Sequence, residues 1–270
     1  MGGDDAEKRQ DPPGLLARRR RELIVERVRA QGSVRVSDLA AWLGVSDMTV
    51  RRDLDALARR RLLDKVHGGA TTVDPPSGTD EPGFSAKSGR HLAEKEGIAQ
   101  AAARLVEPGS VVGLSAGTTT CELARRLVDV PGLTVVTNSL AAAEVLHLGD
   151  RPDRMVILTG GIRTPSEALV GPVAVTALRA LNLDLVFLGV HGMSAAAGFT
   201  TPNLMESETD RALVEAGHRL VVVADSSKWG VTGISTIASL AEADVLVTDA
   251  GLDDEARAVL SGEVGELVLA

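Results

Sequence analysis

Val45 to Leu54 reads VSDMTVRRDL, and this stretch decides how the first part of the chain folds. Ser46 is a good N-cap, because its hydroxyl can accept from a free amide two or three residues on, and Asp47 suits the positive end of a helix dipole. A helix is therefore predicted to start here. Val50, Leu54 and Leu57 follow at i, i+4 and i+7, a single apolar stripe for packing. The stripe turns Met48, Arg52 and Arg59 to the far side and leaves Thr49 and Arg51 on the flanks. That exposed face is cationic.

Working outward, Ser37 is expected to cap a short helix carrying Leu39, Ala40 and Leu43. Gly44 ends it, which leaves the tight turn of a helix-turn-helix. An earlier helix, from about Leu15 to Gln31, packs Leu23, Ile24 and Val28 and stops at Gly32. On the other side, Leu62 to Val66 is predicted as a short strand. His67-Gly68-Gly69 is read as a turn whose glycines permit a sharp bend or a close approach. A strand and turn after such a helix form a wing. Arginine and lysine there neutralise phosphates, and arginine can also pair with guanine. Double-stranded DNA is thus the expected partner, met by Ser46, Met48, Thr49, Arg51, Arg52, Arg59, Lys65, His67 and Gly68. A merely solvated face would explain the charge of Arg51, Arg52 and residues 59–61, but not a cap, stripe, turn and wing in succession. For Arg18 to Arg21, phosphate contact and a solvated helix start stand side by side.

The chain has 270 residues, enough for a small module and one full α/β domain. Its net charge of -8 runs against nucleic-acid binding only on average. Leu15 to Val73 holds 13 basic and 7 acidic residues, a net of +6; Phe84 to Ala270 holds 14 and 23, a net of -9. The cations lie where the reading helix is. With no tyrosine, stacking on single-stranded bases is not expected. Cys121 is the only cysteine, which excludes an intramolecular disulfide and a cysteine-rich zinc site. Neither a metal nor a cofactor is expected. No run has the length of a membrane span and the N-terminus lacks the apolar core of a secretion signal, so a cytoplasmic location is expected.

Asp74 to Gly83, DPPSGTDEPG, mixes proline, glycine and charge without periodicity and reads as a linker. The expected domains are therefore 15–73, a winged helix-turn-helix, and 84–270. In the second, short apolar strands alternate with amphipathic helices. Helices are predicted at Glu94–Val106, Thr119–Val128, Ser139–Leu148, Pro172–Leu181 and Asn203–Ala216. Strands are predicted at Val111–Leu114, Leu133–Thr137, Met155–Leu158, Leu185–Gly189 and Leu220–Ala224, with a strand-helix-strand from Val245. This is the pattern of an α/β, mostly parallel sheet covered on both faces, with ligands beyond the carboxyl ends of its strands.

Those ends carry the candidate sensor chemistry. Ser115-Ala116-Gly117-Thr118-Thr119-Thr120 leads straight into a helix and suits a phosphate as well as it suits a plain N-cap. Asn138 can donate to and accept from a sugar hydroxyl, and Arg163, after Gly160-Gly161, can fork onto phosphate. Turn formation and surface charge are the competing roles there, as loop capping is for His191. Of Glu206 and Glu208, two apart on one helix, at most one faces the site.

VSDMTVRRDL and the later HGGA resemble the signature of the DeoR family of bacterial regulators, and DSSKWG, Asp225 to Gly230, resembles that family's segment. The resemblance runs from about Leu15 to Ala250. It implies operator binding by the winged helix-turn-helix. It also implies a C-terminal domain of ribose-phosphate-isomerase-like fold that senses a small phosphorylated metabolite. Repression of carbohydrate genes by a homodimer or homotetramer follows from it, and it carries ligand contact onto Asp225 and Lys228, for which structural salt bridging is the competing role. With the strand-end residues Gly117, Thr118, Thr119, Thr120, Asn138, Gly161, Arg163 and His191 these make up the expected effector contacts. Two positions depart: Ser115 and His191 stand where aspartates are common, which leaves open a different sugar phosphate or a non-sugar effector. The alternative function is a sugar-phosphate isomerase or deaminase, with Asp225, Lys228 or a glutamate moving protons.

Overall fold

The computed structural model describes residues 13–31, 33–59, 62–66, 69–71, 83–149 and 151–270. Two compact units result, residues 1–76 and 77–270.

The first unit holds α1 (Pro13–Gln31), β1 (Ser33–Arg35), α2 (Val36–Leu43), α3 (Asp47–Arg59), β2 (Asp64–Val66) and β3 (Gly69–Thr71). Ile24, Val28, Leu39, Val50, Leu54, Leu57 and Leu63 close a single core between the three helices and a small antiparallel sheet ordered β1-β3-β2. Each such buried side chain contributes ~1.5–3 kcal/mol relative to exposure. Ser46 caps α3 as expected, its Oγ accepting from the Thr49 amide at 3.3 Å, and Gly44 ends α2 in the left-handed conformation.

Four expectations are corrected. Ser37 lies inside α2, which starts one residue earlier on an uncapped Arg35 because β1 feeds directly into it. Leu23 sits at the margin of the core, where Val25 packs instead. The wing strand begins at Asp64, since Leu63 turns inward to be fully buried. Gly69 belongs to a strand and not a turn: a Cβ there would stand 2.2 Å from the Val34 carbonyl oxygen, so only glycine lets β3 lie against β1. His67 and Gly68 lie outside the described residues.

The second unit opens with α4 (Phe84–Ser88) and α5 (Leu92–Ala103). Then come β4 (Val111–Leu114), α6 (Thr118–Leu127), β5 (Thr134–Thr137), α7 (Leu140–Leu148) and β6 (Met155–Leu158). A hairpin of β7 (Ile162–Arg163) and β8 (Leu169–Val170) precedes α8 (Pro172–Arg179) and β9 (Leu183–Gly189). β10 (Gly192–Ser194), β11 (Gly198–Thr201), α9 (Leu204–Ala216), β12 (Gly217–Val223) and β13 (Ser235–Ala238) follow. The chain closes with β14 (Val245–Thr248), α10 (Asp254–Glu263) and β15 (Leu267–Leu269).

Seven of these strands form one parallel sheet in the order β15-β14-β12-β9-β4-β5-β6. Alternation along the strands splits the core in two. Phe187, Val221 and Val223 face α5, α6 and α7, whereas Val186, Leu188, Leu220 and Val222 face α8, α9 and α10. The sheet grows outward from β4 in one direction through β5 and β6, and from β9 in the other through β12, β14 and β15. The order therefore reverses between β4 and β9, the place where sheets of this kind bind ligands beyond the carboxyl ends of their strands. The hairpin and a small antiparallel sheet, β10-β11-β13, were not expected from the sequence. Among the described residues no helix is long and apolar enough to cross a membrane.

Candidate functional site

On α3 the apolar stripe is buried, Val50 and Leu54 at 0% exposure, and the opposite face is open: Met48 is 60% exposed and Arg51 and Arg52 are exposed. Ser46 and Thr49 share a hydroxyl hydrogen bond of 2.9 Å at the start of the helix. Arg59 closes α3 and Lys65 is the middle residue of β2. Asp53 interrupts the cationic pattern. It is 2% exposed and accepts from Arg20 Nε at 2.5 Å and Arg21 Nε at 2.8 Å, both on α1. Those two arginines thus carry an ion pair that the sequence did not announce, while Arg19 pairs with Glu22 on the surface.

In the second unit several of the predicted residues are tied into the fold by their side chains. Ser115 is fully buried at the switch between β4 and β9, accepting through Oγ from the Gly189 amide at 2.9 Å. Ser115 is thus a bolt between two strands. Asn138, 2% exposed, accepts through Oδ1 from the Ala116 amide at 2.8 Å and so holds the loop that follows β4. Thr120 points inward, donating to the Gly117 carbonyl at 3.1 Å. Thr118 is half-buried and Thr119 buried in the first turn of α6. No side chain caps that turn, whereas Ser139 caps α7 and Asn203 caps α9. Amides at the start of α6 thus remain for another acceptor.

Gly161 and Arg163 belong to the β7-β8 hairpin. A Cβ on Gly161 would stand 2.5 Å from the Val170 carbonyl oxygen, so the glycine lets the two strands cross. Arg163 is exposed and bound to Glu167 on the same hairpin, which raises its guanidinium pKa. His191, half-buried after β9, donates its amide to the Thr200 carbonyl. Glu206 is the inward one of the two glutamates, its carboxylate accepting from Thr164 at 2.7 Å and Thr201 at 3.4 Å; Glu208 is exposed.

Asp225 and Lys228 lie beyond β12. Asp225 is 1% exposed; its Oδ1 accepts from the Ser227 amide and hydroxyl, while its Oδ2 is buried with no hydrogen-bond partner among the described residues. Lys228 is half-buried at the end of a single 3-10 turn, Ser226–Lys228. Asp249 fixes that turn by accepting from the Ser226 amide at 2.6 Å and its hydroxyl at 2.8 Å. Burial alone would raise the Asp249 pKa, yet these bonds and the Gly251 amide hold it below the ordinary value.

Lys95 completes this cluster and was missed in the sequence. It sits on α5, 4% exposed, donating to the carbonyls of Lys87 at 2.8 Å and Arg90 at 2.6 Å. Burial lowers its pKa; nearby Asp225 opposes the shift and Lys228 adds to it. A lysine on an alanine-rich helix carries no sequence signal of burial, because its enclosure depends on how the segments around α5 pack.

A family model described as the DeoR-like helix-turn-helix domain matches residues 20–75, and one described as the DeoR C terminal sensor domain matches residues 90–250. The chain is 38% identical over 244 residues to the HTH-type transcriptional regulator GlpR of Haloferax volcanii, covering 90% of this chain and 94% of that one. It is 32% identical over 228 residues to the glycerol-3-phosphate regulon repressor of Escherichia coli K12, covering 84% and 88%. Among solved structures it is similar to a D-ribose-5-phosphate isomerase in complex with phospho-erythronic acid, with a TM-score of 0.38, 15% identity and coverage of 50% of this chain and 52% of that one. The two relatives are regulators, so the isomerase or deaminase alternative is set aside and the chain is not an enzyme. Matched in both its units, this protein belongs to the DeoR family of transcriptional regulators.

Proposed function

We propose that the protein is a cytoplasmic repressor that holds operator DNA with the exposed face of α3 and its wing. It lets go when a phosphorylated sugar or related metabolite fills the crevice beyond β4 and β9. The domains are then 15–73 for the operator and 84–270 for the effector, joined by 74–83. The observation that carries the effector reading is Asp225 Oδ2, a buried acceptor without a donor, in the electrostatic neighbourhood of buried Lys95. An acceptor left so is costly unless a ligand hydroxyl supplies the hydrogen. The uncapped start of α6 and the cations Lys95 and Lys228 suit a phosphate. The name of the Escherichia coli relative, with its glycerol-3-phosphate regulon, supports the same ligand class.

Release works by linkage: an effector preferring the arrangement that does not bind DNA lowers operator affinity by its differential affinity for the two states. Two reading helices on repeated half-sites require at least a homodimer, and a homotetramer meets the same need. The test is thermal unfolding of the full chain with glycerol 3-phosphate, pentose phosphates, hexose phosphates and inorganic phosphate. A true effector at a hundred times its Kd adds about 2.7 kcal/mol to the folded state. It should raise the unfolding temperature and dissociate a gel-shifted complex with the chain's own upstream DNA. A panel that moves neither overturns the effector reading; equal binding to scrambled DNA overturns the operator reading.

A further inference from the structure

Asp53 is the buried acid of a helix otherwise made to show cations. Its neighbours Arg51 and Arg52 are exposed, and Val50 and Leu54 are sealed in the core. A carboxylate in such a place is stable only when each oxygen is engaged. Here each oxygen has its own donor: Oδ2 takes Arg20 Nε and Oδ1 takes Arg21 Nε. The two arginines are consecutive on α1 and leave it about 100° apart. They therefore converge on one planar carboxylate from two directions.

An apolar stripe fixes which face of α3 is inward, but the burial of Val50, Leu54 and Leu57 is non-directional and sets the rotation less sharply than a charge pair does. Rotating α3 would strand a buried charge, and sliding it would break one bond to keep the other. We propose that Asp53, gripped by Arg20 and Arg21, sets the rotation of α3 and so selects which of its side chains meet base edges. It is a positioning residue for sequence discrimination. This rests on the reading of α3 as the base-reading helix.

The test uses the full chain and two duplexes, one enriched by the wild-type protein from a random-sequence pool and one of the same composition scrambled. The Arg20→Lys/Arg21→Lys double variant keeps both charges but replaces the planar forks with ammonium groups. Its affinity and salt dependence on the scrambled duplex should match wild type, while the ratio between duplexes falls about tenfold or more, the scale of one well-made base contact. Asp53→Asn should lose the ratio as well and bind the scrambled duplex more tightly, one negative charge having gone. Where Asp53→Asn does not fold, the lysine variant decides. A wild-type ratio in the lysine variant overturns the proposal. So does an equal loss on both duplexes, which assigns the arginines to phosphate contact, or loss of the folded head, which leaves them a role in stability alone. Arg52→Ala in the same assay separates the two readings. If it leaves the ratio unchanged, the reading of α3 fails; if it lowers the ratio while the lysine variant does not, only the grip fails.

Discussion

Each unit of this protein hides an acid, and the two are treated oppositely. In the helix-turn-helix unit both oxygens of Asp53 are engaged by arginines, while Arg51 and Arg52 are left exposed. In the sensor unit one oxygen of Asp225 has no partner among the described residues, and buried Lys95 donates to two carbonyl oxygens. The difference teaches how each recognises its target. DNA is a large anion met at a surface, so the head can be electrostatically complete within and still bind. A small metabolite must be surrounded, so on the proposed function its site is an interior whose hydrogen bonding the ligand would complete.

The strongest way to break the comparison is through the head's core. Leu54→Ala removes a fully buried side chain behind the grip and should destabilise the head by ~2–5 kcal/mol. Trp42 fluorescence against urea, in a Trp229→Phe background, would register it; an unshifted midpoint would mean that α3 is not held by its stripe. Arg52→Ala acts next, on function alone. It should weaken the enriched duplex by ~1–3 kcal/mol with unfolding unchanged, as fits a side chain outside the closed network.

In the sensor, Thr119→Val combined with Lys228→Ala should spare DNA binding and remove the thermal shift given by any phosphorylated ligand. A double variant that still responds would place the effector elsewhere. The smallest effect is Asp249→Asn, which loosens the turn holding Lys228. Because the folded state lowers the Asp249 pKa from 3.8, its share of stability is present above that value and is lost as pH falls through the lowered one. Wild type and variant should differ at neutral pH by ~1 kcal/mol, a typical hydrogen-bond worth, and converge in acid. A constant difference across the acid range would show that the carboxylate charge plays no part.

Much of this was legible beforehand. β4 and β6 occupy the predicted residues, and the α3 stripe packs as its spacing required, because a pattern of three or four apolar residues already states which face is inward. Short polar elements were not legible: β1 is Ser-Val-Arg, and β10, β11 and β13 gain strand geometry only from one another. The sensor residues show the same limit. Asn138 looks like a ligand group in sequence, yet its side-chain oxygen serves the Ala116 amide, while nothing local in the sequence marks Lys95 and Asp249 as buried.

By itself the sequence determined that a cationic reading helix precedes an α/β sensor, since caps, periodicity and turns act over a few residues. Only the tertiary structure decided that the sheet order reverses between β4 and β9, that Ser115 bolts that switch, and that Asp53 meets arginines 32 and 33 positions away. Those facts depend on which distant segments come into contact, and the burial that makes a polar group consequential exists only once they have.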